Sequence, residues 1–288
     1  MTVPTRRRSK RGSVQRMLRD KVTIVALIVF SLIVLASIFA PLLTQYDPVQ
    51  LLGRPVQPPS ADHWLGTDEV GRDVFTRLLY SGRASLLVGI VSTVIAAGVG
   101  IPWGLASGYF GGVIDTVSMR FTDALLAFPG IILALAFIAI FPPHILNVMV
   151  AIGIVQIPRF TRLVRAEVLS LKSREFVQAE RALGASTYRI LRHAILPNVL
   201  AVVSVQIGLT FALSVLVEAS LSFLGLGIQP PTPSWGGMLS RARSFTSQNV
   251  WYSIASGGAI FATVLSINLA GDAVATATDP RTTITQTT

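Results

Sequence analysis

Five stretches of this chain run almost free of formal charge over lengths that belong in lipid: residues 22–53 (Asp47 apart), 84–114, 124–158, 194–217 and 244–271. A helix crossing the hydrocarbon core needs about 20 apolar residues. The third stretch is long enough for two crossings and is interrupted at Phe141-Pro142-Pro143, where neither proline can donate a backbone hydrogen bond and the first biases Phe141 away from helix. The pattern therefore predicts an all-α integral membrane protein with six spans, near 22–43, 84–107, 117–140, 145–163, 199–223 and 250–273. Helices satisfy their own backbone groups, as lipid demands. Composition agrees: 51% of residues are hydrophobic, 13% are charged and the mean hydropathy is +0.63, values outside ordinary soluble domains. Gly89, Gly98, Gly100 and Gly104, with Ala96 and Ala97, put close-packing residues in the second span and predict a central place for it. The chain has no cysteine, which excludes disulfides, thiolate catalysis and cysteine metal sites.

The net charge of +10 is concentrated in two places. Arg6, Arg7, Arg8, Lys10, Arg11, Arg16, Arg19 and Lys21 precede the first span, and Arg159, Arg162, Arg165, Lys172, Arg174, Arg181, Arg189 and Arg192 run from the end of the fourth span toward the fifth. The positive-inside rule puts both on the cytoplasmic side, with an even number of crossings between them. Four spans satisfy this. The loop 44–83 mixes five carboxylates with four arginines and is placed outside. The expected organisation is a basic cytoplasmic N-terminus (1–21), a first span (22–43), an external segment with an interfacial helix (44–83), a core of five spans (84–276) and a cytoplasmic tail (277–288). A signal peptide fits poorly, because the first apolar run exceeds a normal h-region.

The polar stretch REFVQAERALGASTYRILRHAILPN, between two apolar runs, reads as a handle. Residues 160–182 have helical character, Gly184 can take positive φ and stop that helix, and Ser186 can cap the next, to about His193. Ala179, Ala182 and Ala185 keep the corner slim enough for a partner's groove, while Arg181, Arg189 and Arg192 offer it charge. The segment resembles the EAA loop of permease subunits in ATP-binding-cassette importers. Gln178, Ala179 and Glu180 stand at the three lead positions, Gly184 at the glycine, and Leu196-Pro197 at the end. Two positions depart: Gln178 replaces the family's first Glu, and Glu180 replaces its second Ala.

The resemblance extends over most of the chain. His63-Trp64-Leu65-Gly66-Thr67-Asp68-Glu69 through Gly71-Arg72-Asp73 to Ser81-Gly82-Arg83 is similar to the external segment of permeases for oligopeptides, dipeptides and nickel. So are Arg120, Asp123 and Ala127-Phe128-Pro129, the run Glu218 to Gly227, Gln229-Pro230-Pro231, Pro233-Ser234-Trp235-Gly236, Asn268-Leu269, Gly271-Asp272 and Asp279-Pro280-Arg281. What this implies is a type I importer permease of MetI-like fold, in a prokaryotic inner or plasma membrane, with a coupling segment (164–198). A second homologous permease, two ATPase subunits and an extracytoplasmic binding protein are the implied partners. ATP and Mg would be bound by the ATPases, since this chain has no G-x-x-x-x-G-K-[ST] loop. Gln178, Ala179, Glu180, Arg181, Ala182, Gly184, Ala185 and Ser186 are the expected ATPase-coupling residues, and Trp64, Asp68, Glu69, Arg72, Asp73 and Trp235 the expected binding-protein contacts. Peptide is the expected cargo, with nickel, glutathione or another small solute as alternatives.

Charges at membrane depth are costly and draw attention. Glu218, after more than 20 uncharged residues, has two readings: a carboxylate on the translocation path or gate, and a structural acceptor. Asp123 is expected to pair with Arg120 at i−3. Glu69 and Asp73 would begin a short interfacial helix with Val70, Val74, Leu78 and Leu79 on its apolar face. His63, Asp68, Glu69 and Asp73 as a metal site is a weaker reading, and none is expected. An intramembrane hydrolase lacks a convergent nucleophile and base, and the N-terminal arginines lack the aromatic or amide residues of a nucleic-acid binder. A non-enzymatic transport subunit is the reading these features favour.

Overall fold

The structure, a computed structural model, describes residues 20–141 and 144–278, with side chains to 273. The arginines before Asp20, the Pro142-Pro143 pair and Asp279-Pro280-Arg281 lie outside the described residues. Ten α-helices organise the described chain: α1 Lys21–Ile38, α2 Ala40–Leu43, α3 Val74–Phe110, α4 Gly112–Leu126, α5 Gly130–Ile140, α6 Ile145–Lys172, α7 Glu175–Ala182, α8 Thr187–Phe223, α9 Trp235–Ala242 and α10 Val250–Thr278. Among the described residues there is no strand, only an isolated bridge between Thr67 and Asp73. Five helices, α1, α3, α6, α8 and α10, are long and apolar enough to cross a membrane, and α4 with α5 makes a sixth, bent by 89°.

Helix α3 holds the fold together. Its 37 residues extend about 56 Å at 1.5 Å per residue, well beyond a hydrocarbon core of about 30 Å. It begins ten residues before the expected 84, so the proposed interfacial helix is instead its first turns, with Val74, Thr76, Arg77 and Ser81 buried. Of the apolar face foreseen on that helix, Val74 and Leu78 pack on protein, whereas Val70 precedes the helix and is exposed. Its most extensive neighbour is α6. A Cβ at Gly100 would lie 2.6 Å from the Phe160 Cβ, and one at Gly104 would lie 2.7 Å from the Thr161 carbonyl oxygen and the Val164 Cβ, so these small residues set the distance between the two helices. Gly98 meets nothing and faces elsewhere.

Three other boundaries moved. The expected third span divides at Ala127-Phe128-Pro129, because Pro129 cannot continue α4's hydrogen-bond ladder and becomes the N-cap of α5. Helix α6 continues past 163 to Lys172, with Val164, Val168 and Leu171 buried along the extension. Helix α8 starts at Thr187 and passes through a π-helical turn, Ile190–Ile195, into Leu196–Phe223. The widened turn makes room for the Pro197 ring, which would otherwise press on the carbonyl one turn back.

The helix directions gather residue 20, the end of α3, the α7 corner and the end of α10 at one end, with the 44–73 segment and α9 at the other. Lys172 donates to the Tyr109 carbonyl (2.6 Å) at the corner end, while Arg83 donates to the Ser37 carbonyl (2.8 Å) at the other. Helix α1 packs on α10 and α3 and remains mostly exposed on its outer side.

Candidate functional site

The corner between α6 and α8 is built by local chemistry. Helix α7 ends in a Schellman arrangement: the Gly184 N–H donates to Arg181 O (3.0 Å), and the Ala185 N–H to Glu180 O (3.0 Å). This requires a left-handed residue, and Gly184 supplies it at φ +77°. The Ser186 hydroxyl then accepts from the Arg189 N–H (3.4 Å) and caps α8. Val177 is the inward anchor, fully buried in a cluster with Tyr109, Val168, Leu171, Ile190 and Ile195. Lys172 and Arg181 both lie over the Tyr109 ring, 5.6 and 5.1 Å from its centroid, and tie the corner to the end of α3.

Of the expected coupling residues, Gln178, Ala179, Arg181, Ala182, Gly184 and Ser186 are exposed on this corner, and Ala185 is half-buried against the core. Gln178 Nε2 donates to Ser173 O (3.2 Å). Glu180 lies 3.9 Å from the Arg189 guanidinium, so its carboxylate bridges the two arms of the corner. Leu183 and Tyr188, 86% and 66% exposed, and the exposed Phe176 also stand on this segment, outside the set expected from the sequence. Their signal was present: apolar residues on a polar segment, out of register with the buried Val177.

Near the corner, the expected Arg120–Asp123 pair is replaced. Asp123 pairs with Arg162 of α6, because α4 lies across α6 and brings the guanidinium of another helix to the carboxylate. One turn away, Arg165 binds both oxygens of Asp115 (2.5 and 2.6 Å), and the Ser107 hydroxyl donates to the same carboxylate (2.5 Å). These pairs join α3, α4 and α6.

Glu218 is fully buried near the other end, inside the subunit. Its Oε1 accepts from the Ser222 hydroxyl (2.6 Å) and its Oε2 from the Ser85 hydroxyl (3.0 Å). The Ser222 oxygen in turn accepts from the Ile228 N–H (3.1 Å), and Ser234 Oγ stands 3.3 Å from it. The carboxylate thus links α8 to α3 and to the loop that enters α9, and no part of it lines an open passage in this conformation. Of the two sequence readings, this geometry favours the structural one.

The outer segment is closed by charge. Asp68 Oδ2 accepts from Arg72 Nε (2.7 Å), the buried Arg77 guanidinium lies 3.3 Å from the same oxygen, and Arg77 Nη1 donates to Pro48 O (2.6 Å). Glu69 is held by Arg72 (3.2 Å), Arg241 (3.5 Å) and the Tyr252 hydroxyl (3.1 Å). Asp73 caps α3 by accepting from the Thr76 N–H (2.7 Å) and meets His63 Nδ1 at 3.0 Å. Asp68, Asp73 and Trp235 are therefore buried, the last with its indole N–H on Leu78 O (3.0 Å), and none is free to touch a docking protein; Arg72 is largely enclosed. The physical reason is that each satisfies a neighbour inside the fold. Trp64 is open, at 65% exposed. No group of three or more possible metal ligands gathers among the described residues.

The all-helical chain, with six candidate spans and a capped corner between two of them, belongs to the family of inner membrane components of binding-protein-dependent transport systems, matched over residues 100–284. Residues 11–59 match the N-terminal transmembrane domain of oligopeptide transport permease C. The chain is 44% identical to the dipeptide transport system permease protein DppC of Alkalihalophilus pseudofirmus, over 94% of this chain and 90% of that one. It is 41% identical to the glutathione transport system permease protein GsiD of Pectobacterium atrosepticum (93% and 89% covered) and 40% identical to the di/tripeptide permease DppC of Pseudomonas aeruginosa (93% and 90%). A chain of the MetNI methionine ABC transporter, in an inward-facing conformation, shares the fold with a TM-score of 0.57 at 20% identity, over 71% of this chain and 98% of that one. The protein is an inner-membrane, multi-pass ABC permease.

Proposed function

We propose that this chain forms half of the translocation path of an ATP-driven importer for short peptides. Relatives named for dipeptide, di/tripeptide and glutathione transport support the cargo class, glutathione being itself a tripeptide. A second permease would complete the path, two ATPase subunits would bind ATP and Mg, and an extracytoplasmic binding protein would deliver the peptide. This chain performs no catalysis in that scheme. Both termini and the corner face the cytoplasm, where the basic residues of the sequence accumulate, and the 44–73 segment faces outward.

The observation that carries the reading is the α7 corner. It exposes Leu183 and Tyr188 on a turn fixed at both sides, and it is continuous with α6 and α8, of 28 and 37 residues. A partner gripping this turn moves two long helices as levers. ATP-driven closure of the ATPases then rocks α6 and α8 against α3, and access alternates between the two faces. The test is accumulation of a radiolabelled dipeptide in liposomes holding the complete transporter, with binding protein at the transporter's external face and ATP enclosed at its cytoplasmic face. ATP hydrolysis without dipeptide or tripeptide accumulation would overturn the cargo assignment.

A further inference from the structure

The span made of α4 and α5 is broken at half depth. Asp115 and Asp123 bind Arg165 and Arg162 of α6, which sets α4 against the corner-side half of that helix, while Ala134 and Ile138 of α5 pack with Val148 and Ile152 in its other half. The 89° bend falls between them. A Cβ at Gly130 would lie 3.1 Å from Val155 Cγ1, and one at Gly153, just before Val155 on α6, would lie 2.8 Å from the Ile95 Cβ. Ile95 is at the middle of the span 84–107, so the bend lies near the bilayer midplane.

The chain leaves this bend uncovered: residues 127–132 are exposed in succession. The Ala127 N–H donates to Asp123 O (2.9 Å) as the last bond of α4, the Leu133 N–H donates to Pro129 O (3.1 Å) as the first of α5, and no side chain caps α5 at Pro129. The N–H groups at the start of α5 and the carbonyls at the end of α4 therefore have no partner within either helix. Irregular backbone at this depth is tolerated where protein covers it or water reaches it, and lipid offers it no hydrogen bond. A second observation points the same way. Asp123, one turn before Ala127, pairs with Arg162, and the two side chains are 56% and 51% exposed. Arg162 lies seven residues beyond Val155 on α6, about 10 Å toward the corner at 1.5 Å per residue and inside a hydrocarbon half-thickness of about 15 Å. Half-exposed charges at that depth are expensive in lipid and ordinary in water. The exposed face of α1, by contrast, is regular apolar helix and suits lipid.

We propose that the α4–α5 break and the Asp123–Arg162 pair wall the aqueous translocation path, and that cargo crosses the midplane against this stretch of open backbone. The inference rests on the importer reading above and gives its path a place in this chain, apart from the buried Glu218 cluster.

The experiment uses the complete transporter in liposomes and the absence of native cysteine from this chain. Ala127→Cys and Ile131→Cys probe the break, and Leu32→Cys, midway along the first span and 60% exposed, is the lipid-facing control. A cationic methanethiosulfonate reagent, supplied to both faces, reports which thiols water reaches. Ala127→Cys and Ile131→Cys are expected to react about 100-fold faster than Leu32→Cys, the scale on which the bilayer centre excludes a charge. Modification of Ala127→Cys should abolish dipeptide accumulation, whereas the same treatment of Leu32→Cys should leave it intact. Each variant is first shown to retain binding-protein-stimulated ATP hydrolysis; if Ala127→Cys does not, Ile131→Cys carries the test. Reaction at the break with a lipid-soluble maleimide but not with the cationic reagent would show that it faces lipid, and reaction with neither would show that a neighbouring permease subunit covers it; either result overturns the proposal. A wild-type transporter that hydrolyses ATP without accumulating dipeptide would instead strike the cargo reading, and the labelling pattern would still decide whether the break is wet.

Discussion

The turn at Gly184 allows backbone conformation to be separated from side-chain bulk. At φ +77°, a Cβ on this residue would find nothing within 4 Å, so the Cβ itself meets no clash. What remains is the cost of a left-handed conformation for an L-residue, roughly 1–2 kcal/mol. Against the well-formed corner this shifts the turn equilibrium by a factor of about 5–30. Asn visits this region with little penalty, Ala bears the cost above, and Val, branched at Cβ, bears more. Coupling should therefore decline in the order Gly, Asn, Ala, Val, following tolerance of positive φ rather than volume. The assay is binding-protein-stimulated ATP hydrolysis in liposomes, with recovery of the ATPase subunits on affinity purification as a companion. Insertion of the spans should be unaffected, since the corner is exposed. If Gly184→Asn were worse than Gly184→Ala, or if Gly184→Val kept full stimulation, the reasoning would be refuted.

Further outcomes can be stated briefly. Glu218→Gln keeps the shape between Ser85 and Ser222 and should lower the melting temperature of the detergent-purified transporter modestly, whereas Glu218→Ala, which strands two buried serines, should cost about 1–3 kcal/mol; a Glu218→Ala protein that melts as wild type yet fails to transport would restore the path reading. Gly104→Ala should destabilise by about 1–3 kcal/mol because its Cβ meets α6 at 2.7 Å, while Gly98→Ala should be neutral or better in the same melting assay. Asp123→Asn should barely alter stability, since both it and Arg162 are about half exposed, and a large drop in melting temperature would show the pair to be more than a surface contact. For topology, single cysteines at Ser60 and Ser247, both exposed, should react with an impermeant thiol reagent from outside intact cells, while Ser173→Cys should not; external labelling at Ser173 would invert the orientation.

The sequence by itself determined what depends on short range. Apolar length set the spans, because lipid leaves helix as the only open-chain solution. Gly184, Ser186 and their neighbours set the corner, because a left-handed stop and a side-chain cap are local chemistry, and the spacing of that segment pointed to the family. Tertiary structure decided what depends on which surfaces meet. Asp123 had a partner at i−3 on paper and took Arg162 from a crossing helix instead. Trp235 sat in an apparently external loop and is buried on α3. Glu218 was an isolated carboxylate in an apolar run until Ser85, 133 residues away, closed over it. The segment from Glu69 to Leu79 read as an amphipathic surface helix because a one-sided apolar pattern does not say whether lipid or protein covers it. Periodicity, capping and charge bias are properties of a segment and survive in its sequence, whereas the partner of a buried charge belongs to the packing of distant helices.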